Sequence, residues 1–188
     1  MGKRLSNVVG FDDAPFPHEH RGDVTVVGTV CSRARLDGVL RTRVRRDGAN
    51  ATDRMIDVVA GSPFHGHLQA VLLQGIAVAG FNVVDIHRLS QRLERPVLVV
   101  ARRAPDLDAI ADALRRTGRG WQRKWALIEA AGPMEALRGV QVQRAGLTRG
   151  QASQLLAATT LHGKIPEPLR MAHLIAGGMT TGISRGRA

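Results

Sequence analysis

Aromatic side chains are scarce in this sequence of 188 residues: they make up 3% of it, and tyrosine is absent. Hydrophobic residues nevertheless reach 44%, so the core has to be built from valine, leucine, isoleucine and alanine. A chain of this length can bury a substantial core without the support of disulfides or a structural metal. We therefore predict one globular domain over residues 1–188.

Cysteine occurs once, as Cys31, which excludes a disulfide within the chain and indicates an intracellular protein. Its neighbour Val30 suggests a buried structural thiol. No run approaches the ~20 apolar residues that span a bilayer, and no apolar signal region follows Lys3-Arg4. We expect a cytoplasmic protein that does not bind membranes.

Acidic residues are outnumbered, because 27 lysines and arginines face 16 aspartates and glutamates, giving a formal net charge of +11. This excess suits a polyanionic partner, most obviously nucleic acid. Most of the basic residues are arginines, whose guanidinium groups match phosphate oxygens, although genome bias also produces such a composition. We expect nucleic acid as the partner, and no obligate protein partner.

Six strands and six helices are predicted from the spacing of apolar residues. The strands cover residues 7–11, 23–32, 38–46, 68–73, 96–101 and 140–143. The helices cover residues 52–60, 84–93, 106–116, 121–131, 148–160 and 168–179. Asp37-Gly38 is a hairpin signal, so the first three strands form an antiparallel meander. The later strands alternate with helices, which predicts an α/β protein with parallel β-α units and helices on both faces of one mixed sheet.

This chain order is that of the ribonuclease H-like fold, in which the first strand lies centrally beside a later parallel strand. Asp12 and the end of strand 68–73 are therefore expected to be neighbours. Asp12 and Asp13 follow the first strand, where carboxylates can hold a divalent metal or act as general acid and base. The alternative is an acidic turn, because aspartate tolerates turn geometry and Ala14-Pro15 interrupts regular structure.

Five segments resemble the endonuclease dU family, which is similar to endonuclease V. They are residues 10–13 (GFDD), 71–75 (VLLQG), 79–85 (AGFNVVD), 102–106 (RRAPD) and 165–173 (IPEPLRMAH). Segments 79–85 and 165–173 are the specific ones, since composition alone does not produce them. The resemblance extends over nearly the whole chain and implies a single endonuclease V-like domain of ribonuclease H-like fold.

The resemblance implies a metal-dependent endonuclease that hydrolyses a phosphodiester near a deaminated base, uracil or hypoxanthine. DNA is the favoured nucleic acid, and RNA is the alternative. Asp12 matches the first-strand metal ligand of endonuclease V, and His173 matches its late histidine. The implied cofactor is Mg²⁺ or Mn²⁺, bound through carboxylate oxygen. His173 would bind or protonate phosphate oxygens.

One position departs from the family pattern: a glutamine, Gln74, stands where an aspartate before glycine is expected. An amide oxygen is neutral and binds Mg²⁺ more weakly than a carboxylate does. The predicted metal ligands are therefore Asp12, Asp13 and Gln74 with a further acid. Asp47, in the turn after the third strand, is our first choice for that ligand and for a catalytic role. Asp53 is the alternative, and ordinary turn or helix-start roles stay open for both.

His173 lies among apolar residues of the last predicted helix, where a histidine is often part of the core. Its Pro-Leu-Arg-Met-Ala-His context favours a functional interpretation. Arg170 lies one turn earlier on roughly the same helix face, from which it can contact phosphate. Its alternative is an ordinary surface arginine.

Two further regions are predicted to bind nucleic acid. In the basic and aromatic stretch 115–125, Arg119 can hold phosphate and Trp121 can stack on an unpaired base. The alternative for Trp121 is packing as helix core, which its spacing from Trp125 also allows. By resemblance, Phe81 and Asn82 are candidates for a base pocket, although Phe81 equally suits a core anchor.

Three functions follow from these observations. The first is the metal-dependent endonuclease acting on deaminated bases. The second is a catalytically weak or inactive nucleic-acid-binding protein of the same fold, because Gln74 weakens the metal site. The third is a small cytosolic enzyme that uses Asp12 and Asp13 on another anionic substrate.

Overall fold

The structure, a computed structural model, describes residues 5–118 and 120–184. Its strands are β1 (Asn7–Asp13), β2 (Asp23–Ser32), β3 (Arg35–Arg45), β4 (Ala70–Gln74), β5 (Ala77–Val78), β6 (Asn82–Val83), β7 (Val97–Ala101), β8 (Glu135–Leu137) and β9 (Val140–Ala145). Its α-helices are α1 (Ala51–Ala60), α2 (Ile86–Leu93), α3 (Leu107–Arg116), α4 (Trp121–Ala130), α5 (Arg149–Thr159) and α6 (Glu167–Thr181). Within these two ranges, every helix is too short or too polar to cross a membrane.

Seven strands form one mixed sheet in the order β3-β2-β1-β4-β7-β9-β8. The first three pair antiparallel, which confirms the predicted meander, and β4 runs parallel to both β1 and β7. The parallel run ends there, because β9 pairs antiparallel with β7. Two successive helices and β8 intervene, so the chain enters β9 from the opposite end. A two-residue turn with positive φ at Arg138 and Gly139 joins β8 to β9.

The β2-β3 hairpin turns earlier than predicted. Arg33, whose φ is 57°, and Ala34 connect the strands, while Asp37 and Gly38 lie inside β3. A Cβ at Gly38 would overlap the ring of Phe64, which packs across the strand. The glycine therefore permits a close approach instead of making a turn.

Side-chain alternation along β1 decides which residues meet which helices. Val9 belongs to a core shared with α1 and α2, whereas Val8 packs on the other face against α5 and α6. Helices thus cover both faces, as predicted. Gly10 lets α6 approach closely, since a Cβ there would lie 2.7 Å from the backbone carbonyl carbon of Pro168. The next residue on this face is Asp12, so α6 lies over it.

The carboxyl ends of β1 and β4 meet at one edge of the sheet. Gly10 lies beside Leu72 in the parallel register, which brings Asp12 beside Gln74 two residues further on. Both side chains point to the α6 face, because the alternation has a period of two. This confirms the expectation that Asp12 and the end of this strand are neighbours.

Candidate active site

A cavity of about 970 Å³, the site cavity, opens at this carboxyl edge beside α6. Its polar lining residues are Asp12, Asp13, Gln74, Arg102, His173, Thr181 and Ser184. Four of the predicted site residues therefore come together from β1, β4 and α6. They share the cavity although Asp12 and His173 are 161 residues apart in sequence.

Asp12 and His173 are in direct contact. His173 Nδ1 lies 2.9 Å from Asp12 Oδ2, and the backbone N–H of Asp13 donates to Asp12 Oδ1 at 3.0 Å. Asp12 is only 5% exposed because α6 covers the end of β1. His173 is partly exposed and lines the cavity. The carboxylate thus orients an imidazole that a substrate can reach.

Asp13 also fixes a neighbouring loop. Its Oδ2 accepts a hydrogen bond of 2.6 Å from the backbone N–H of Ala79, in the hairpin between β5 and β6. Ala79 has a φ of 50°, a strained conformation that this bond helps to hold. Asp13 therefore contributes negative charge to the cavity and is at the same time partly structural.

Gln74 lines the site cavity and carries an unsatisfied acceptor. Its Oε1 is buried and has no hydrogen-bond partner in the described part of the chain. Buried acceptors are nearly always paired, so this oxygen is available to a ligand. A cation or a hydrogen-bond donor would satisfy it.

Burial shifts the pKa of both aspartates at the end of β1. Burial, followed by the charge of Asp13, raises the pKa of Asp12 from 3.8 to about 6, although the contact with His173 opposes the rise. Burial also raises the pKa of Asp13. Two adjoining carboxylates in this environment are costly when both are ionised, and a bound cation would relieve that cost.

The raised pKa of Asp12 predicts how the stability of the metal-free protein depends on pH. The folded state binds the proton more tightly than the unfolded state, so the free energy of unfolding falls as pH rises from about 4 to about 6. The fall is up to about 3 kcal/mol. Urea unfolding in EDTA at several pH values measures it, and Asp12→Asn is expected to lack this component. The same pH slope in wild type and variant would contradict the prediction.

The donor set fits a single hard cation and not a fully acidic cluster. In residues 5–118 and 120–184, no group of three or more histidine, cysteine, aspartate and glutamate side chains is arranged to hold a metal. Asp12, Asp13 and Gln74 nevertheless line the same cavity, and the amide oxygen of Gln74 has no partner among these residues. Oxygen ligands of this kind suit Mg²⁺ and Mn²⁺.

Asp47, predicted as a metal ligand and catalytic residue, does not line the site cavity. Its Oδ1 accepts a hydrogen bond of 2.8 Å from the backbone N–H of Phe81, and its Oδ2 lies 3.1 Å from Arg46 Nε. The structure corrects the prediction, because the turn after β3 directs this carboxylate to the β5-β6 hairpin. Asp53 is also elsewhere, in an ion pair with Arg88 of α2.

Asn82 and Arg170 are engaged within the protein. Asn82 is fully buried. Its side-chain amide accepts a hydrogen bond from the N–H of Ala51 and donates one to the carbonyl of Arg45. Asn82 is therefore not exposed for the contact with nucleic acid that the sequence predicts. Arg170 donates hydrogen bonds of 2.6 and 2.8 Å to Glu167, a buried carboxylate that needs a counter-ion. It does not line the site cavity.

Phe81 and Trp121 both pack against a small apolar cluster around Leu114. The guanidinium of Arg115 lies 5.5 Å from the centre of the Trp121 ring, a cation–π distance. Trp121 is partly exposed, and base stacking by it stays a prediction. Arg119 lies outside the described residues.

Arg102 opens the family segment 102–106 but was not predicted as a site residue from the sequence. It is exposed, lines the site cavity and follows directly on β7, the parallel neighbour of β4. Like Asp12, Arg102 lies at the carboxyl end of a strand in the parallel part of the sheet, so the same reasoning could have selected it. Arg102 brings positive charge to a cavity that is also lined by the carboxylates of Asp12 and Asp13.

Exposed arginines also lie on the same face of the sheet. Val27 of β2 pairs with Asp12 on one side and with Arg41 of β3 on the other. Paired residues point to the same face, so Arg41 and the following Arg43 lie on the face of Asp12. Both are exposed. This basic surface suits the phosphates of a bound strand.

The sheet order, the helices on both faces and the polar cavity at the carboxyl edge define a ribonuclease H-like α/β protein, as predicted. Residues 4–180 match the family described as endonuclease dU, and the chain belongs to that family. A UPF0215 protein of Deinococcus radiodurans is 55% identical over 184 residues, which are 98% of this chain and 94% of that protein. A UPF0215 protein of Methanothermobacter thermautotrophicus is 44% identical, over 96% of this chain and 91% of that protein.

Solved structures share the fold. The crystal structure of a protein of unknown function from Archaeoglobus fulgidus is 34% identical, with a TM-score of 0.86 over 93% of this chain and 98% of that one. Ciona intestinalis endonuclease V, in complex with DNA that contains an inosine, has a TM-score of 0.57 at 13% identity, over 90% and 83% of the two chains. Human endonuclease V has a TM-score of 0.54 at 15% identity, over 92% and 83%.

Proposed function

We propose that this protein is a metal-dependent endonuclease that hydrolyses a phosphodiester bond of DNA next to a deaminated base, uracil or hypoxanthine. The observation that carries the proposal is the meeting of Asp12, Gln74 and His173 in one cavity at the carboxyl edge of the sheet. Membership of the endonuclease dU family supports it. The complex of Ciona endonuclease V with inosine-containing DNA supports the class of substrate.

Charge supports nucleic acid as the partner. The chain carries a formal net charge of +11. Arg102 is exposed at the cavity, and Arg41 and Arg43 are exposed on the same face of the sheet as Asp12. Each arginine that neutralises a phosphate releases condensed counterions, which makes binding strong at low salt and weaker as salt rises. Arg102 is placed to hold the phosphate nearest to Asp12.

Asp12, Asp13 and Gln74 would hold a Mg²⁺ or Mn²⁺ ion, which when bound supplies Lewis-acid stabilisation and a nucleophilic hydroxide. The protein's own contribution is orientation and charge. Asp12 fixes the ring of His173 through Nδ1, so the imidazole can bind or protonate a phosphate oxygen. Arg102 stabilises the charge that develops on the phosphate.

A second function, nucleic-acid binding with weak or no catalysis, is favoured by one specific observation. Gln74 supplies a neutral oxygen at the position where an aspartate would add a charge beside Asp12. With fewer charges the ion is held less tightly. The basic surface that includes Arg41 and Arg43 does not depend on the ion.

The test is a cleavage assay on matched oligonucleotides that contain one uracil, one hypoxanthine or neither, with Mg²⁺, Mn²⁺ or EDTA. Cleavage is expected only of the lesion-containing strands and only with metal. Equal cleavage of undamaged DNA, or cleavage in EDTA, would contradict the proposal. Salt-sensitive binding without cleavage would support the second function. If neither occurs, an enzyme acting on another anionic substrate becomes the better explanation.

A further inference from the structure

A second cavity, the apolar cavity of about 630 Å³, lies on the other side of the same sheet edge. Its apolar lining includes Ile76, Pro105, Ile110, Trp125, Ile128 and Met134. Gly75 and Arg103 also line it, whereas Gln74 and Arg102, the residues directly before them, line the site cavity. Successive Cα atoms are about 3.8 Å apart, so the two cavities approach each other at this edge.

Gln143 is the polar residue of interest in this wall. It lies on β9 opposite Val99 and is only 5% exposed. Its Nε2 donates a hydrogen bond of 2.6 Å to the carbonyl of Gly132. Its Oε1 is buried and has no hydrogen-bond partner within residues 5–118 and 120–184.

The bond to Gly132 fixes which way the Gln143 amide faces. A carbonyl accepts and cannot donate, so turning the amide over would set two oxygens against each other. Oε1 is therefore held as an acceptor on a residue that lines an otherwise largely apolar cavity. Buried acceptors are nearly always paired. We therefore expect a ligand with a flat, largely apolar body that donates a hydrogen bond to this oxygen.

We propose that Gln143 is a specificity-determining residue that accepts a hydrogen bond from the ring N–H of a deaminated base turned into the apolar cavity. The inference rests on the proposed function and deepens it. Uracil carries an N–H at N3, and hypoxanthine carries one at N1. Cytosine and adenine have a lone pair at these positions, which would face the oxygen of Gln143 and be repelled.

The rest of the cavity suits the same ligand. A base that leaves the stack needs an apolar enclosure, and Trp125 offers an aromatic surface to it. Thymine and guanine also carry a ring N–H, so Gln143 distinguishes a deaminated base from its parent base and not from every normal base. Guanine adds an amino group that apolar walls would leave unpaired.

Binding in EDTA tests the inference without cleavage. Fluorescence anisotropy compares single-stranded oligonucleotides that differ only in one base: uracil, cytosine or N3-methyluracil. Wild type is expected to bind uracil about tenfold more tightly than either of the others, as the loss of one buried hydrogen bond requires. In Gln143→Met, the uracil preference should disappear while the affinity for cytosine changes little.

Gln141→Met is the matched control, because it replaces the same residue type two positions earlier on β9, outside the apolar cavity. It should keep the preference for uracil. Equal binding of uracil and N3-methyluracil by wild type would overturn the inference, and this measurement needs no variant to fold. An unchanged preference in Gln143→Met would overturn it as well. In both cases, metal-dependent cleavage by wild type would leave the proposed function standing, whereas failure to bind or cleave any lesion would remove both.

Discussion

Replacing Asp12 by asparagine is expected to reduce metal-dependent cleavage by about 100-fold or more and to leave nucleic-acid binding intact. Asparagine has nearly the same shape, so the side chain can keep its place beside His173 under α6. It lacks the charge that holds the cation, and it no longer holds the imidazole of His173 as a carboxylate does. Cleavage rates and binding constants measured on the same oligonucleotide separate the two effects. Loss of binding together with cleavage would indicate damage to the fold instead.

Asp53→Asn is the matched control for this prediction. It neutralises a carboxylate of the same kind that lies outside the site cavity and pairs with Arg88. Its cleavage rate is expected to stay within about twofold of wild type, because partly exposed ion pairs contribute little. Full activity of Asp12→Asn, or equal losses in the two variants, would place the catalytic centre elsewhere.

Replacing Gln74 by aspartate is expected to tighten Mg²⁺ binding by about tenfold or more and to raise the cleavage rate at limiting metal. The new carboxylate would lie beside Asp12 on the same face and add one negative charge for the cation. Without metal, the same charge should destabilise the protein at neutral pH, because it would join the buried carboxylate of Asp12 and the neighbouring carboxylate of Asp13. Metal titrations of cleavage and of thermal stability measure both effects.

Gln74→Asn controls for side-chain length, since asparagine has the size of aspartate without its charge. It is expected to bind Mg²⁺ no better than wild type does. If Gln74→Asp binds Mg²⁺ no more tightly than Gln74→Asn does, a charge at this position does not act on the ion. The ligand set inferred from the cavity is then incorrect. If wild type is inactive and Gln74→Asp cleaves the oligonucleotide, the second function, nucleic-acid binding with weak or no catalysis, is the correct one.

The elements were largely predictable from local patterns. All six predicted helices agree with the structure to within two residues at each end, because amphipathic spacing and capping residues act over a single turn. The strand prediction was less complete. β5, β6 and β8 have two or three residues each, too few to show a period. The turn between β2 and β3 was predicted at Gly38, which is wrong. A glycine needed for close packing cannot be told from one needed for a turn in the sequence alone.

The candidate site was only partly predictable. Asp12, Asp13, Gln74 and His173 share one cavity, as the family resemblance implied. Asp47 was selected by its place after a strand, a criterion that does not tell which way a turn directs its side chain. Asn82 looked like a pocket residue but is buried, because its amide ties β3, α1 and the β5-β6 hairpin together.

By itself the sequence determined the basic character of this protein, its aliphatic core, its helices and longer strands, and its membership of a family through segments 79–85 and 165–173. Only the tertiary structure decided that Asp12 contacts His173. It also decided that Gln74 and Gln143, which line the two cavities, each have a side-chain oxygen without a partner among the described residues. The reason is physical. These arrangements depend on how closely α6 packs at Gly10 and on strand register, and both are set by contacts between residues far apart in the chain.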